Sequence, residues 1–290
     1  MKNKQILKII GVAILIAVSL YTSRKTGGSS GDEEKTSIEH NDGSMDSKSS
    51  SEILEADITE GNPSHIEFPA YDDSDVIVSH STFTLSYNTS RNTPYWVAWQ
   101  LEGKNAYGSL DRNQKFWADE KLPRKYRVDF YEYKESGYER GHMCPAGDMK
   151  WTEEGMHDCF YMSNICPQTH ELNDGDWREL EEKCRLWAKK EGCLYICCGP
   201  IYNSKRPKTI GVHHSISVPD AFYKVVLSLR EGKEKAIGFY YLNDTSSQPM
   251  LDAVRSVNEI ENITGIDFFA SLPDKFEASL ESKASLSEWR

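Results

Sequence analysis

The sequence predicts an α+β domain built around a mainly antiparallel sheet. Segments rich in β-branched and aromatic residues outnumber the segments with helical periodicity, and the two kinds do not alternate regularly along the chain. A parallel α/β sheet would require that alternation. The pattern also continues without a second linker from Val76 to about Leu280, so a single domain is expected in this chain of 290 residues.

Seven segments have the composition of strands, and Gly-Pro or Pro-Asp pairs separate some of them. Residues 88–94 are predicted to form the turn between the second and the third. The predicted strands are residues 76–78, 83–87, 95–101, 193–198, 216–218, 222–229 and 236–242.

Three segments have the features of helices. Residues 152–158 are predicted to form a short helix and residues 250–263 a longer one. Between them, residues 174–191 carry an apolar stripe at helical spacing and end at Gly192, after two lysines. The stripe consists of Trp177, Leu180, Cys184 and Trp187.

The N-terminal segment, residues 1–25, has the pattern of a signal peptide or a marginal membrane anchor. Lys2 and Lys4 precede an apolar run, and Arg24 and Lys25 follow it. The small-residue cleavage pattern is poor, which favours an uncleaved anchor over a signal peptide, and both are favoured over a buried core helix. The protein is therefore expected to be exported to the periplasm or the extracellular space, with possible tethering to the membrane by its N-terminus.

Residues 26–65 are predicted to be a disordered acidic linker, because they contain few large apolar residues. Between Asp32 and Glu60 the chain has ten acidic residues and two lysines. Residues 66–282 are then the expected functional domain and residues 283–290 a tail. The whole chain has a net charge of −11, so a nucleic acid would have to be bound by a local basic cluster and a bound cation.

All seven cysteines lie between Cys144 and Cys198. In an exported protein, disulfides are the first expectation, although the odd number leaves at least one thiol over. A zinc site is the less favoured alternative, because the C-x-x-C pairs of zinc-binding motifs are absent and the nearest spacing is Cys193-x3-Cys197. The pairing cannot be deduced from the sequence.

Three polar residues have the chemistry for hydrolysing a phosphodiester. His142, on a strand-like segment, can accept a proton from water. Asn173 offers one neutral oxygen to Mg²⁺, and Glu181 lies eight residues later on the predicted helix. Taken one at a time, these residues have simpler interpretations. His142 is then a structural histidine, Asn173 a helix cap, and Glu181 the partner of Arg185 in an i,i+4 ion pair.

Taken together, these residues and their flanking motifs resemble the DNA/RNA non-specific endonucleases with the ββα-metal active site. The Asp-Arg-Gly-His hallmark of that family is similar to Glu139–His142, and its Leu-Asn-x-x-x-Trp-x-x-Leu-Glu run is matched by residues 172–181. The resemblance extends over nearly the whole domain. Further similar segments are residues 161–164, 199–202, 216–225 and 264–269.

The resemblance implies a role for each matching residue. His142 would be the general base, Asn173 the only direct protein ligand of one Mg²⁺ (with Mn²⁺ possible), and Glu181 would hold the waters of the metal. The other implied site residues are polar or cationic groups near the scissile phosphate: Arg112, Arg140, Asn164 and Arg185. Glu139 departs from the family aspartate, and its extra methylene bears on the level of activity more than on the fold.

The implied function is Mg²⁺-dependent hydrolysis of DNA and RNA through contacts with the backbone, leaving 5′ phosphates. Two alternatives stay open at this stage. One is a catalytically inactive nucleic-acid-binding protein of the same fold, and the other is a metal-dependent hydrolase of a different phosphodiester. The oligomeric state and the preference between DNA and RNA are not indicated by the sequence.

Overall fold

A computed structural model describes residues 65–72 and 75–290 of the protein. The predicted export segment and all but the last residue of the predicted linker lie outside the described residues. Within the ranges that are described, no helix is both long and apolar enough to cross a membrane.

The centre of the fold is a seven-stranded sheet in which every neighbouring pair is antiparallel. Its strands, in their order across the sheet, are β1 (Ile77–Ser79), β2 (Thr84–Asn88), β3 (Thr93–Glu102), β6 (Cys193–Ile201), β9 (Ala221–Ser228), β10 (Lys235–Leu242) and β11 (Val254–Arg255). The α+β class with a mainly antiparallel sheet is therefore confirmed.

Two smaller antiparallel pairs complete the strands. The first joins β4 (Glu139–His142) to β5 (Ile165–Gln168), and the second joins β7 (Thr209–Ile210) to β8 (Ile216–Ser217). The helices are α1 (Glu153–Asp158), α2 (Trp177–Glu191), α3 (Met250–Ala253), α4 (Val257–Thr264) and α5 (Asp274–Glu281).

Both faces of the central sheet are covered by helices. Side chains alternate between the two faces of a strand, so Phe222 and Val226 of β9 pack with α2, whereas Val225 and Leu227 pack with α4 and α5. This is why all eight residues of β9 are buried. The apolar stripe of α2 meets the first face, as its helical spacing predicts.

The C-terminal region differs from the sequence-based expectation in two ways. The predicted helix of residues 250–263 is divided into α3 and α4, because Ser256 starts a new helix in a reciprocal capping box with Glu259. The expected tail is packed: Trp289 is 2% exposed and its ring lies 5.0 Å from that of Trp187. Trp289 thus belongs to the core and Leu286 packs against it, whereas Ser287 and Glu288 between them are exposed.

The expectation of disulfides is also corrected. All seven cysteines have free thiols, and every one except Cys193 is buried. The six buried cysteines belong to the apolar core, where a thiol behaves as a small hydrophobic group.

Candidate active site

The candidate site is built on the β4–β5 pair. His142 lies opposite Ile165, and Gly141 lies opposite Cys166. The glycine is required by close approach, since a Cβ at this position would collide with the side chain of Gln168. The Arg-Gly-His order therefore lets β4 lie against its partner while Arg140 and His142, two residues apart, face the same side.

Helix α2 is tied to β4 by a hydrogen bond. Nε1 of Trp177, the first residue of the helix, donates to the backbone oxygen of His142 at 3.4 Å. The wide turn Leu172–Asp176 precedes the helix and carries Asn173. Asn173 does not cap α2. Its Nδ2 donates instead to Oε2 of Glu139 at 2.7 Å, so the turn is fixed to the other end of β4.

The imidazole of His142 is enclosed by aromatic rings. It is 7% exposed, and its ring centroid lies 5.4 Å from that of Phe116 and 4.7 Å from that of Phe160. Burial, followed by the charges of Arg112 and Arg140, lowers the pKa of His142 to about 3. Its Nε2 is buried and has no hydrogen-bond partner among the described residues. The ring is therefore neutral, with a nitrogen free to receive a proton.

Two arginines lie beside this ring without a counter-ion. The guanidinium of Arg112 stacks over Phe160 at 5.1 Å, and that of Arg140 stacks over Phe116 at 4.8 Å. Neither one forms an ion pair with a carboxylate in the part of the chain that the structure describes. Their charges are consequently available to an anion that reaches His142.

Arg185 has a different environment from the other two arginines. Its Nη1 donates to Oδ1 of Asp148 at 3.0 Å, and Asp148 is 1% exposed and also accepts a hydrogen bond from Nε1 of Trp99. The i,i+4 pair with Glu181 considered from the sequence is not formed. Arg185 is thus engaged by a buried carboxylate behind the site.

Glu181 lies close to the same buried charges. Burial, only partly offset by Lys224, raises the pKa of Glu181 to about 7. Lys224 is 1% exposed, and its ammonium lies 4.4 Å from the ring of Trp177. Sequence reasoning gave no role to Lys224 or to Asp148. The signal for Lys224 was its position on β9, where the alternation places it on the same face as Phe222 and Val226.

Asn164 is fully buried and bonded to the backbone. Its Oδ1 accepts from the amide of Cys144 at 2.9 Å, and its Nδ2 donates to the backbone oxygens of Cys144 and Cys159 at 2.9 and 2.8 Å. The side chain therefore fixes the loop that leaves β4 after His142.

The donor atoms at the site suit a hard divalent cation that keeps most of its waters. Because Nδ2 of Asn173 donates to Glu139, Oδ1 is the atom of this side chain that remains for a ligand. Within the described ranges, no three or more His, Cys, Asp or Glu side chains are placed together to hold a metal ion. A site with one neutral protein oxygen and a nearby carboxylate fits Mg²⁺, which is bound through few protein ligands.

The family of this chain is shown by comparing its sequence with the models of known families. The family model for DNA/RNA non-specific endonucleases matches residues 62–275. The chain belongs to the DNA/RNA non-specific endonuclease family. It is thus a nucleic-acid hydrolase, and nucleases of this family depend on a metal ion.

Individual relatives agree with this assignment. The chain is 32% identical over 234 residues to a nuclease of Nostoc sp., covering 77% of this chain and 84% of that protein. It is 32% identical over 207 residues to the mitochondrial nuclease EXOG of Danio rerio, covering 67% of this chain and 60%, less than two thirds, of the relative.

A solved structure shows the same fold. The crystal structure of the EndoG/EndoGI complex, described as showing the mechanism of EndoG inhibition, matches with a TM-score of 0.66 and 28% identity. The match covers 72% of this chain and 90% of the other. The fold of this non-specific endonuclease is therefore the ββα-metal nuclease fold, in which β4, β5 and α2 carry the candidate site.

Proposed function

We propose that this endonuclease hydrolyses phosphodiester bonds of DNA and RNA with Mg²⁺ and leaves 5′ phosphates. The observation that carries the proposal is the environment of His142. Within the described structure its Nε2 has no hydrogen-bond partner, and Arg112 and Arg140, which have no ion-pair partner there, lie beside the uncharged ring. A base next to unpaired cations suits the attack of water on a phosphate.

In the proposed reaction, Nε2 of His142 takes a proton from a water molecule as the water oxygen forms its bond to phosphorus. The bond from phosphorus to O3′ breaks on the opposite side, and its electron pair leaves with O3′, which gains a proton from solvent. The phosphate stays on the 5′ end of the second fragment. Arg112 and Arg140 would compensate the negative charge that grows on the phosphoryl oxygens.

Asn173 would hold the metal ion through Oδ1, and Glu181 would accept hydrogen bonds from the waters of the ion. When bound, the ion supplies positive charge at the scissile phosphate. Arg185 and Asn164 would act by positioning: the first through Asp148 and the second through the loop after β4.

Substrate selection would depend on the phosphodiester backbone. Contacts with phosphates carry no direct sequence information, so cleavage should show little sequence preference. The basic and apolar pattern of residues 1–25 supports export to the periplasm or the extracellular space, with the N-terminus as a membrane tether.

The test is incubation of the purified full-length chain with plasmid DNA and with RNA, in Mg²⁺ and in excess EDTA. We expect both polymers to be degraded in Mg²⁺ and neither in EDTA, with product 5′ ends that accept a radiolabelled phosphate only after phosphatase treatment. Degradation in EDTA, or products with 3′ phosphates, would contradict the mechanism. Binding without cleavage would instead identify an inactive binding protein.

A further inference from the structure

A third cation stacked on an aromatic ring lies at the residue that precedes β4. Nζ of Lys208 is 4.8 Å from the ring centroid of Tyr138 and donates to its hydroxyl at 3.4 Å. Tyr138 immediately precedes β4, so it is two residues from Arg140 and the two Cα atoms are at most about 7 Å apart. Successive phosphates of a nucleic-acid strand are separated by a similar distance.

The Lys208–Tyr138 pair and the Arg140–Phe116 pair rest on the same hydrophobic cluster. Tyr138 and Phe116 both pack against it. The cluster contains the buried residues Val128, Tyr133, Met162, Ile165, Ile210, Ile216 and Val218. The rings under Arg140 and Lys208 are therefore supported by the same cluster.

The segment that carries Lys208 is held at both ends. The backbone oxygen of Lys208 accepts from the amide of Val218 at 2.8 Å, next to the β7–β8 pair. At the other end of the pair, the buried carboxylate of Glu132 accepts from the amide of His213 at 3.0 Å and lies 3.1 Å from Nδ1 of His214. Lys208 is thus presented from a fixed backbone.

All three cations lack an ion-pair partner within the described ranges. Among the residues that the structure describes, no carboxylate lies within ion-pair distance of Arg112, Arg140 or Lys208. A cation that is held over a ring and lacks a counter-ion can accept an anion without first losing a partner. The compact ammonium of lysine suits a single phosphate oxygen.

We propose that Lys208, seated on Tyr138, binds a phosphate that flanks the scissile one on the same nucleic-acid strand. This inference rests on the proposed function, because it adds a neighbouring position to that site. The ligand is a strand with at least one phosphodiester besides the one that is cleaved. The contact favours strands over single diesters and does not read the bases.

The experiment compares Lys208→Gln with Lys205→Gln, which removes an exposed lysine of the same loop that has no ring contact of its own in the described structure. For each, kcat/KM is measured on a single-stranded oligonucleotide and on a dinucleotide with one phosphodiester. We expect kcat/KM for the oligonucleotide, divided by kcat/KM for the dinucleotide, to fall about 5- to 10-fold in Lys208→Gln, mainly through a higher KM for the oligonucleotide. The same quotient should stay unchanged in Lys205→Gln.

Binding of the same oligonucleotide in EDTA gives an independent measure. Loss of one phosphate contact should make the negative slope of log K against log salt shallower by about 0.7 in Lys208→Gln. The slope should be unchanged in Lys205→Gln. Equal behaviour of the two variants in the cleavage ratio and in the slope would overturn the inference. If the wild-type chain cleaves neither substrate, the proposed function fails, while the slope still decides whether Lys208 binds phosphate.

Discussion

Glu139 accepts a hydrogen bond of 2.7 Å from Nδ2 of Asn173, a residue 34 positions later in the chain. The other carboxylate oxygen lies 2.8 Å from Nδ1 of His170. Although burial opposes ionisation, the hydrogen bonds from Asn173 and His170 hold the pKa of Glu139 below its usual range. The longer side chain that replaces the family aspartate therefore connects the start of β4 to the turn that carries the proposed metal ligand.

Removing this connection should weaken the use of the metal. In Glu139→Ala the amide of Asn173 loses its fixed orientation, and we expect the Mg²⁺ concentration for half-maximal activity to rise about 10-fold or more. The measurement is a metal activation curve. Glu171→Gln, an exposed acid close to the same turn, is the control and should behave as wild type. An unchanged Mg²⁺ requirement in Glu139→Ala would contradict the role of this hydrogen bond.

Replacing the proposed base should abolish most of the activity without unfolding the protein. For His142→Ala we expect kcat to fall about 10²–10⁴-fold, with an unchanged circular dichroism spectrum. Because the pKa of His142 is lowered to about 3, its protonation should not reduce the rate of the wild type on acidification from pH 7 to pH 5. His213→Ala, an exposed histidine away from the site, should retain full activity. Near-wild-type turnover in His142→Ala would refute the assignment.

The arginines should separate into two classes. Arg112→Ala should lower activity and leave the melting temperature almost unchanged, because Arg112 is exposed and has no carboxylate partner among the described residues. Arg185→Ala leaves the buried Asp148 without its cation and should cost about 3 kcal/mol in the free energy of unfolding. Thermal and urea unfolding measure the difference. Equal stability losses in the two variants would show that the Arg185–Asp148 pair is not structural.

A group of acids on α5 should make the stability of the protein depend on pH. Oε1 of Glu277 and of Glu281 is buried without a hydrogen-bond partner in the described structure. Burial, and then the charges of neighbouring acids, raises the pKa of Glu277 to about 7 and that of Glu281 to about 8, from an ordinary value of 4.5. These carboxyl groups bind more protons in the folded state than in the unfolded state. The free energy of unfolding should therefore decrease as the pH rises from 4.5 towards 8.

Glu281→Gln removes that pH-dependent loss. We expect it to stabilise the protein at pH 8 by about 1 kcal/mol, or roughly 2–4 °C in Tm, and to have little effect at pH 4.5. Melting curves across this pH range are the measurement. Glu231→Gln, in an exposed loop, should shift Tm at neither pH. A Glu281→Gln variant that is destabilised at pH 8 would reverse the sign of the argument.

The parts of the fold that could be predicted are those whose signal is local. The stripe of α2 and the strands β3, β6, β9 and β10 follow from side-chain periodicity, with differences of a few residues at their ends. Helix α5 and strand β7 were missed, although β8 lies within the predicted strand of residues 216–218. The short segments that were missed are stabilised by distant contacts with the sheet and with Glu132.

The candidate site shows the same division. His142, Asn173 and Glu181 were found from motifs that are contiguous in the sequence. The rings of Phe116 and Phe160 that enclose His142 were not, since neither belongs to the motif of β4. The partner of Arg185 is likewise 37 residues away. The family resemblance implied that this arginine lies near the phosphate, and only the tertiary structure shows that Asp148 holds it.

The accessibility of the seven free thiols reports which parts of the fold have opened. No covalent bond between cysteines has to form before the chain can fold, so folding needs no oxidant and a strong reductant removes nothing from the native state. Only Cys193 is partly exposed to an alkylating reagent, because the other six are shielded until the surrounding core separates. The order in which those six become alkylated would map which layer of the protein comes apart first.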